Sequence, residues 1–133
     1  MIGRVLVALT GASGAIYGVR AVQRLVEHQT PCDVVMSGAA RKVLAIEHGL
    51  GHRVADWFDA PNDADCRSFE LDDITAPAAS GSSGPRAMVV IPCSMGTVGR
   101  LAGGLSSNLI ERAADVMLKE RRPLVVVPRE SPF

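Results

Sequence analysis

The feature that most constrains the fold is a short apolar segment followed directly by a glycine-rich turn. Residues 4–9 read RVLVAL, a nearly continuous run of aliphatic and β-branched side chains. Such a run is typical of a strand that is buried on both faces of a parallel sheet. The turn at 10–14, TGASG, ends this run, and a helical spacing of apolar residues begins at Ala15. A strand, a glycine turn and a helix in this order predict the first unit of an α/β fold.

The same alternation continues along the chain. Further strands are predicted at 32–36, 87–92 and 124–127, and further helices at 39–48 and at 108–121, the latter capped by Ser106 or Ser107. Residues 93–97 are predicted to form a small polar loop. The region 53–85 carries no clear pattern, and its end is interpreted as an ordered or a disordered loop. We therefore expect a single domain over 1–133, a Rossmann-like or flavodoxin-like three-layer sandwich with a parallel sheet.

Composition excludes several classes of function. Lys plus Arg and Asp plus Glu both number 14, and 4% of the residues are aromatic. A neutral chain with few stacking groups lacks the features that bind nucleic acid or an anionic membrane. The three cysteines are widely spaced, and no CxxC pair indicates a metal site. Without a signal peptide or a long apolar run, the expected location is the cytoplasm.

Small, polar or charged residues follow four of the predicted strands. In parallel α/β sheets, ligands bind beyond the carboxyl ends of the strands. These ends carry the turn Gly11–Gly14, then Ser37, then Ser94–Thr97, and finally Arg129 with Glu130. Glycine and a helix start can receive a phosphate or a flavin edge, although Ser13 could instead be a helix cap. Ser37 is interpreted as a helix N-cap that can bind a ligand as well. Because the turn lacks GxGxxG spacing and no acidic residue follows the second strand, a mononucleotide is favoured over a dinucleotide.

Other reactive side chains have simpler interpretations. Cys93 is interpreted as a small buried residue at a strand end. His48 and His52 are poor metal ligands, because the glycines between them interrupt the helix. Glu47 is either an exposed helix residue or, near the cleft, an acid or base. Lys119 lies where cations commonly favour a helix end, so a solvated position is the alternative to a binding role.

Several motifs together resemble the UbiX family of flavin prenyltransferases. The similarity covers nearly the whole chain, in order and with compatible spacing. The motifs are TGASGAIYG at 10–18, ASGS at 79–82, PCSMGT at 92–97, NLIERAADV at 108–116, LKERRPL at 118–124 and PRE at 128–130.

The resemblance implies a flavoprotein that joins a dimethylallyl group from dimethylallyl phosphate to N5 and C6 of reduced FMN. The product would be the prenylated flavin that UbiD-type decarboxylases use in ubiquinone or aromatic-acid metabolism. No metal is implied. A homo-oligomer, a dodecamer in the family, is expected.

The resemblance also assigns roles to individual residues. Ser13, Glu47 and Glu130 would be catalytic, with Ser13 close to flavin N5. Ser80, Lys119 and Arg129 would surround the donor phosphate. The residues expected to hold FMN are Gly11, Ala12, Ser13, Ser37, Ser94, Met95, Gly96, Thr97 and Arg129.

Two departures from the family pattern define the alternatives. Ile74 stands where some relatives have tryptophan, and relatives continue past Phe133 with a segment that helps to hold the donor phosphate. The chain is therefore expected to be C-terminally incomplete. The alternatives are an FMN-dependent decarboxylase of the related flavoprotein family, a flavodoxin-type FMN carrier, and an inactive truncated form that only binds FMN or assembles.

Overall fold

The computed structural model describes residues 3–11, 13–51, 53–57 and 65–130. The elements in these residues are β1 (Val5–Leu9), α1 (Ala15–Glu27), β2 (Cys32–Met36), α2 (Gly38–His48), β3 (Cys66–Phe69), β4 (Ala87–Ser94), α3 (Met95–Ala102), α4 (Leu109–Lys119) and β5 (Leu124–Arg129). Strands and α-helices alternate as far as β3, which is followed by β4 without an α-helix, and two helices then precede the last strand. Single turns of 3₁₀ helix at Val54–Trp57 and Pro77–Ala79 lie on either side of β3 in sequence.

The five strands form one sheet in the order β3-β2-β1-β4-β5, and every pairing is parallel. The chain lays down β1, β2 and β3 in one direction and then crosses back to place β4 on the other side of β1. The strand order therefore reverses between β1 and β4. In open α/β sheets a ligand crevice lies at this reversal, outside the carboxyl ends of the strands. The predicted parallel α/β sandwich is confirmed.

Two apolar layers cover the sheet. On one face, Val7 and Leu9 of β1 pack with α1, α2 and the turn Val54–Trp57. On the other face, Leu6 and Ala8 pack with α4 and the turn Pro77–Ala79, and α3 adds partly buried side chains. Successive strand residues point to opposite faces, so a nearly continuous apolar run supplies both layers.

The prediction of a polar loop at 93–97 is wrong. Cys93 and Ser94 are the last residues of β4, and α3 begins immediately at Met95. The Ser94 side chain accepts a hydrogen bond from the Thr97 N–H, which is the geometry of a helix N-cap. A small polar segment that resembles a loop in sequence is therefore a strand end joined directly to a helix start.

Two capping predictions also need correction. α4 is capped by Asn108, whose Oδ1 accepts the Glu111 N–H, and not by Ser106 or Ser107. The N-cap of α1 is Gly14, so Ser13 is not the cap. The prediction that Ser37 caps a helix is confirmed, because its Oγ accepts the Ala40 N–H.

The strand β3 lies in the region that showed no pattern in sequence. Its four residues, CRSF, pair with β2 at one edge of the sheet. This strand lacks an apolar run because its side chains are exposed or only partly buried, so no continuous series of apolar residues marks it in the sequence.

Candidate functional site

Hydrogen bonds tie together the carboxyl ends of the three central strands. The Ser37 N–H donates to the Leu9 carbonyl and so joins β2 to β1. Thr10 joins β1 to β4, because its hydroxyl donates to the Pro92 carbonyl and accepts the Ser94 N–H, both at 2.8 Å. Thr10 is 3% exposed. The strand ends that line the crevice between β1 and β4 are therefore held in place by hydrogen bonds.

The glycine turn after β1 approaches the start of α2 very closely. A Cβ atom built on Gly11 would lie 2.1 Å from the Cβ of Ala39, a distance that only glycine avoids. Gly14 has φ 96° and provides no side-chain cap to α1. The first N–H groups of α1 are consequently not held by a capping side chain, which suits an anion. Ala12, predicted to bind FMN, lies outside the described residues.

The structure brings together two residues that are 34 positions apart in sequence. Ser13 Oγ lies 3.4 Å from Glu47 Oε1, and both side chains are exposed. The imidazole of His48 is close as well, with Nε2 3.9 Å from Glu47 Oε2. A hydroxyl beside a carboxylate can pass a proton, and an acid or base is one of the two interpretations that the sequence left open for Glu47.

At the start of α3, some of the predicted flavin-binding residues are exposed and others are held by hydrogen bonds within the protein. Ser94 Oγ donates to Thr97 Oγ1 at 2.9 Å, and Thr97, 4% exposed, also accepts from the Arg100 guanidinium. Met95 and Gly96, by contrast, are exposed. The four predicted flavin-binding residues of this segment therefore divide into an accessible pair and a pair that also shapes the helix start.

A buried carboxylate supports this helix start from α4. Glu111 is 2% exposed and accepts hydrogen bonds from the Ser107 N–H and hydroxyl, the Asn108 amide and Arg100 Nε. Burial raises the pKa of Glu111, but the hydrogen bonds from Ser107 and the Arg100 guanidinium outweigh it, and the pKa lies below its ordinary value. Glu111 is therefore ionised at neutral pH.

The end of β5 adds Arg129 to the polar residues along the carboxyl edge, which we call the row: the turn Gly11–Gly14, Ser37, Ser94–Thr97 and Arg129. Arg129 pairs in register with Ser94, which places its backbone next to the start of α3. It is half-buried, and Glu130 directly after it is exposed. A guanidinium at this edge has the charge and planar donors that a phosphate needs.

Ser80 and Lys119 lie near the amino ends of the strands, opposite the carboxyl edge. Lys119 is the last residue of α4, just before the chain enters β5. The loop that begins at Ser80 is held there as well, because the Arg122 side chain donates to the carbonyls of Gly81 and Pro85. A strand of this length separates the two edges by roughly 15–20 Å. Within one chain, therefore, these two predicted phosphate ligands are not brought to Arg129.

A groove of about 480 Å³ opens beside the row, over the ends of β2 and β3. Arg41 and Glu70 form an ion pair of 2.9 Å in it. Its lining residues are Met36, Gly38, Arg41, Glu70, Leu71, Asp72, Ser107 and Asn108.

Sequence reasoning did not find the groove or the buried network. The groove was missed because three of its residues follow the unrecognised strand β3. Thr10 and Glu111 lie within the motifs of the family resemblance, but no role was assigned to either. One signal for Glu111 was its position three residues after a good capping residue, which is typical of a capping box.

Burial raises the pKa of the Cys93 thiol, in agreement with a packing role.

In the described residues, no group of three His, Cys, Asp or Glu side chains is arranged to hold a metal ion. His52 lies outside this part of the chain. None of the described helices combines the length and hydropathy that crossing a membrane requires.

Comparisons with known proteins give a consistent set of relatives. The Flavoprotein family profile matches residues 2–131. The chain is 47% identical over 131 residues to the flavin prenyltransferase UbiX of Halalkalibacterium halodurans, covering 96% of this chain. It spans 64% of the length of that curated relative.

Solved structures agree. The crystal structure of AnUbiX (PadA1) in complex with FMN and dimethylallyl pyrophosphate has a TM-score of 0.88 and 36% identity, covering 100% of this chain and 68% of that one. A dodecameric FMN-dependent UbiX-like decarboxylase from Escherichia coli O157:H7 has a TM-score of 0.86 and 40% identity, covering 97% of this chain and 68% of that one.

Proposed function

Because the chain belongs to the Flavoprotein family and, within it, to the UbiX group, we propose that it is a flavin prenyltransferase that transfers a dimethylallyl group from dimethylallyl phosphate to reduced FMN. The observation that carries the proposal is the likeness over the whole chain to a structure solved with FMN and a dimethylallyl donor. The row of glycine, serine and arginine residues at the carboxyl edge supplies the matching chemistry.

The donor set at this edge fits FMN. Its phosphate would meet the N–H groups at the start of α1 and the hydroxyl of Ser37, which keeps its own hydrogen to donate while it caps α2. The exposed residues at the start of α3 would lie along the flavin ring. The proposed FMN-binding residues are Gly11, Ala12, Ser13, Ser37, Ser94, Met95, Gly96, Thr97 and Arg129.

The proposed catalytic groups divide the proton and charge work between them. When bound, reduced FMN would supply the nucleophilic N5 and C6 atoms. Ser13 would hold a proton near N5, and Glu47, 3.4 Å from its hydroxyl, would accept or return that proton. Arg129 would stabilise the charge that the donor phosphate gains as the allylic carbon–oxygen bond breaks. Glu130 would hold the departing phosphate where it can take a proton.

Ser80 and Lys119 fit this scheme if a second copy of the chain brings them to the site. They lie at the far edge of their own sheet, so only a neighbouring copy places them beside Arg129. The relative from Escherichia coli that is described as dodecameric supports such an assembly. We therefore propose a homo-oligomer with donor-phosphate sites shared between copies.

The remaining features of the proposal concern the whole protein. Residues 1–133 would form a single flavin-binding domain that corresponds to about two thirds of its longer relatives. Its prenylated product would pass to a UbiD-type decarboxylase, and the reaction would take place in the cytoplasm.

The decisive experiment is to incubate the protein anaerobically with reduced FMN and dimethylallyl phosphate and to measure the mass of the extracted flavin. A flavin heavier by one prenyl unit is expected. Ser13→Ala should slow formation of this adduct more than it weakens FMN binding. Ser68→Ala, which alters an exposed serine on the edge strand β3, is the matched control and should behave as wild type.

The same assay separates the alternatives. Bound but unmodified FMN contradicts the transferase and leaves the flavin site in place, whereas failure to bind FMN contradicts both. A decarboxylase is the second candidate, because the UbiX-like relative from Escherichia coli carries that description. It predicts release of CO₂ from an added carboxylic acid, without any change in the mass of the flavin.

A further inference from the structure

Two of the three cysteines start neighbouring strands. Cys32 is the first residue of β2 and Cys66 is the first residue of β3, and the two are direct partners in the parallel register. Paired residues of parallel strands point to the same face, and both side chains pack with the apolar layer that contains α1 and α2. The two thiols therefore lie side by side at the amino edge of the sheet.

The spacing suits a covalent link. Neighbouring strands lie roughly 4.8 Å apart, and disulfides join residues whose Cα atoms are about 4.4–6.8 Å apart. β3 is the edge strand and has a neighbour on one side only, so its backbone can adjust to bring the two Cβ atoms closer. Both cysteines are reduced in the structure; Cys32 is buried and Cys66 is partly exposed.

The two thiols also influence each other. Hydrogen bonding with the Cys66 thiol lowers the pKa of Cys32, and the same interaction raises the pKa of Cys66. The two thiols are therefore within hydrogen-bonding reach of each other, and Cys66 is the sulfur that a molecule in solution can reach.

We propose that Cys32 and Cys66 form a dithiol site that low-molecular-weight disulfides such as oxidised glutathione convert reversibly into a cross-strand disulfide. Cys66 first exchanges with oxidised glutathione, and one glutathione leaves as a thiol with the proton that Cys66 loses. The Cys32 thiol then loses its proton, its sulfur attacks the sulfur of Cys66, and the second glutathione is displaced and takes up that proton to leave as a thiol. Two protein thiols are oxidised, and one glutathione disulfide is reduced to two thiols.

The third cysteine is an internal control. Cys93 packs in the layer on the opposite face of the sheet from Cys32, and burial raises the pKa of its thiol. It has no geometric route to either member of the pair, so it should remain reduced under the same treatment.

The test counts free thiols. Reduced, folded protein is treated with oxidised glutathione and then denatured in the presence of N-ethylmaleimide, which labels the free thiols. The intact mass of the protein is then measured. Untreated protein carries three cysteines and should take three maleimides, whereas treated protein should take one. Digestion should yield the Cys32 peptide linked to the Cys66 peptide, and dithiothreitol should restore three adducts.

Variants separate the pair from the third thiol. Cys93→Ser should still lose two reactive thiols on treatment, and Cys66→Ser should lose none to an internal disulfide. Three adducts after treatment, a stable glutathione adduct on Cys66, a link through Cys93, or a disulfide between two chains would each overturn the proposal. Because the wild-type peptide map alone decides between these results, the test does not depend on the folding of either variant.

Discussion

At the scale of single residues, Glu111 shows how a polar side chain can be buried in this fold. Four donors surround its carboxylate, including the guanidinium of Arg100. Through Arg100 the same network reaches Thr97 and the start of α3. A residue without a predicted role thus supports the segment that is proposed to lie along the flavin.

Removing this carboxylate should destabilise the protein. Glu111→Ala leaves four donors without their acceptor in a site that is 2% exposed. We expect a loss of about 2 kcal/mol in the free energy of unfolding, measured by urea denaturation. Asp115→Ala, in the same helix but exposed, is the control and should stay within about 0.5 kcal/mol of wild type. Equal effects in the two variants would show that the network adds no stability.

The charge of Glu111 also predicts a dependence on pH. Its pKa in the folded protein is lower than the ordinary value of 4.5, so the unfolded chain takes up the proton first as the pH falls. The stabilising contribution is complete at neutral pH and is lost as the pH falls below the ordinary value of 4.5 and through the lower pKa of the folded protein. Glu111→Gln should therefore lose less stability than wild type over this range when urea denaturation is repeated at each pH. Parallel curves for the two proteins would contradict this assignment.

At the scale of elements, α1 packs unusually close to the sheet. A Cβ atom on Gly18 would lie 2.4 Å from Leu9 Cγ and 2.5 Å from the Ile91 carbonyl oxygen. Leu9 belongs to β1 and Ile91 to β4, and these two central strands cannot move away from α1 without disturbing their pairing with the rest of the sheet. The absence of a side chain at Gly18 therefore sets how α1 lies against the crevice.

Gly18→Ala should lower the free energy of unfolding by about 2 kcal/mol, because overpacking costs more than the gain in helix propensity. The matched control is Gly99→Ala in α3, where an added Cβ meets nothing within 4 Å. That variant should be neutral or more stable by up to about 1 kcal/mol. Thermal and urea unfolding would measure both, and a stabilising Gly18→Ala would contradict the close packing.

At the scale of the whole molecule, the proposed site depends on assembly. Ser13 and Glu47 meet at one edge of the sheet, whereas Ser80 and Lys119 lie at the other. If neighbouring copies join these edges, two different inactive variants should complement each other in a mixed oligomer.

Co-expressed Lys119→Ala and Ser13→Ala chains should regain about a quarter of wild-type prenyl transfer, because random mixing of two copies leaves that share of sites intact. Ser13→Ala mixed with Glu47→Gln is the control. These two residues come from the same chain, so no site is restored. The prenylated flavin formed per oligomer is the readout, and lack of recovery in the first mixture would place Lys119 outside the shared site.

The sequence by itself determined the local units of this protein. The run RVLVAL, the glycine turn and the apolar stripe of α1 lie within one continuous segment, so neighbouring residues were enough to predict them. The bounds of β2 and the Ser37 cap followed in the same way. The sequence also predicted that the polar residues at the strand ends share the carboxyl edge, and the structure places Ser37, Ser94 and Arg129 there, since parallel strands end together.

Only the tertiary structure decided which distant residues meet. The contact of Ser13 with Glu47, the pairing of Cys32 with Cys66 and the separation of Lys119 from Arg129 depend on strand order and register. β3 illustrates the reason, because its four residues carry little pattern of their own and form a strand by pairing with β2. Local preferences select the elements, but burial shared between distant segments sets their arrangement.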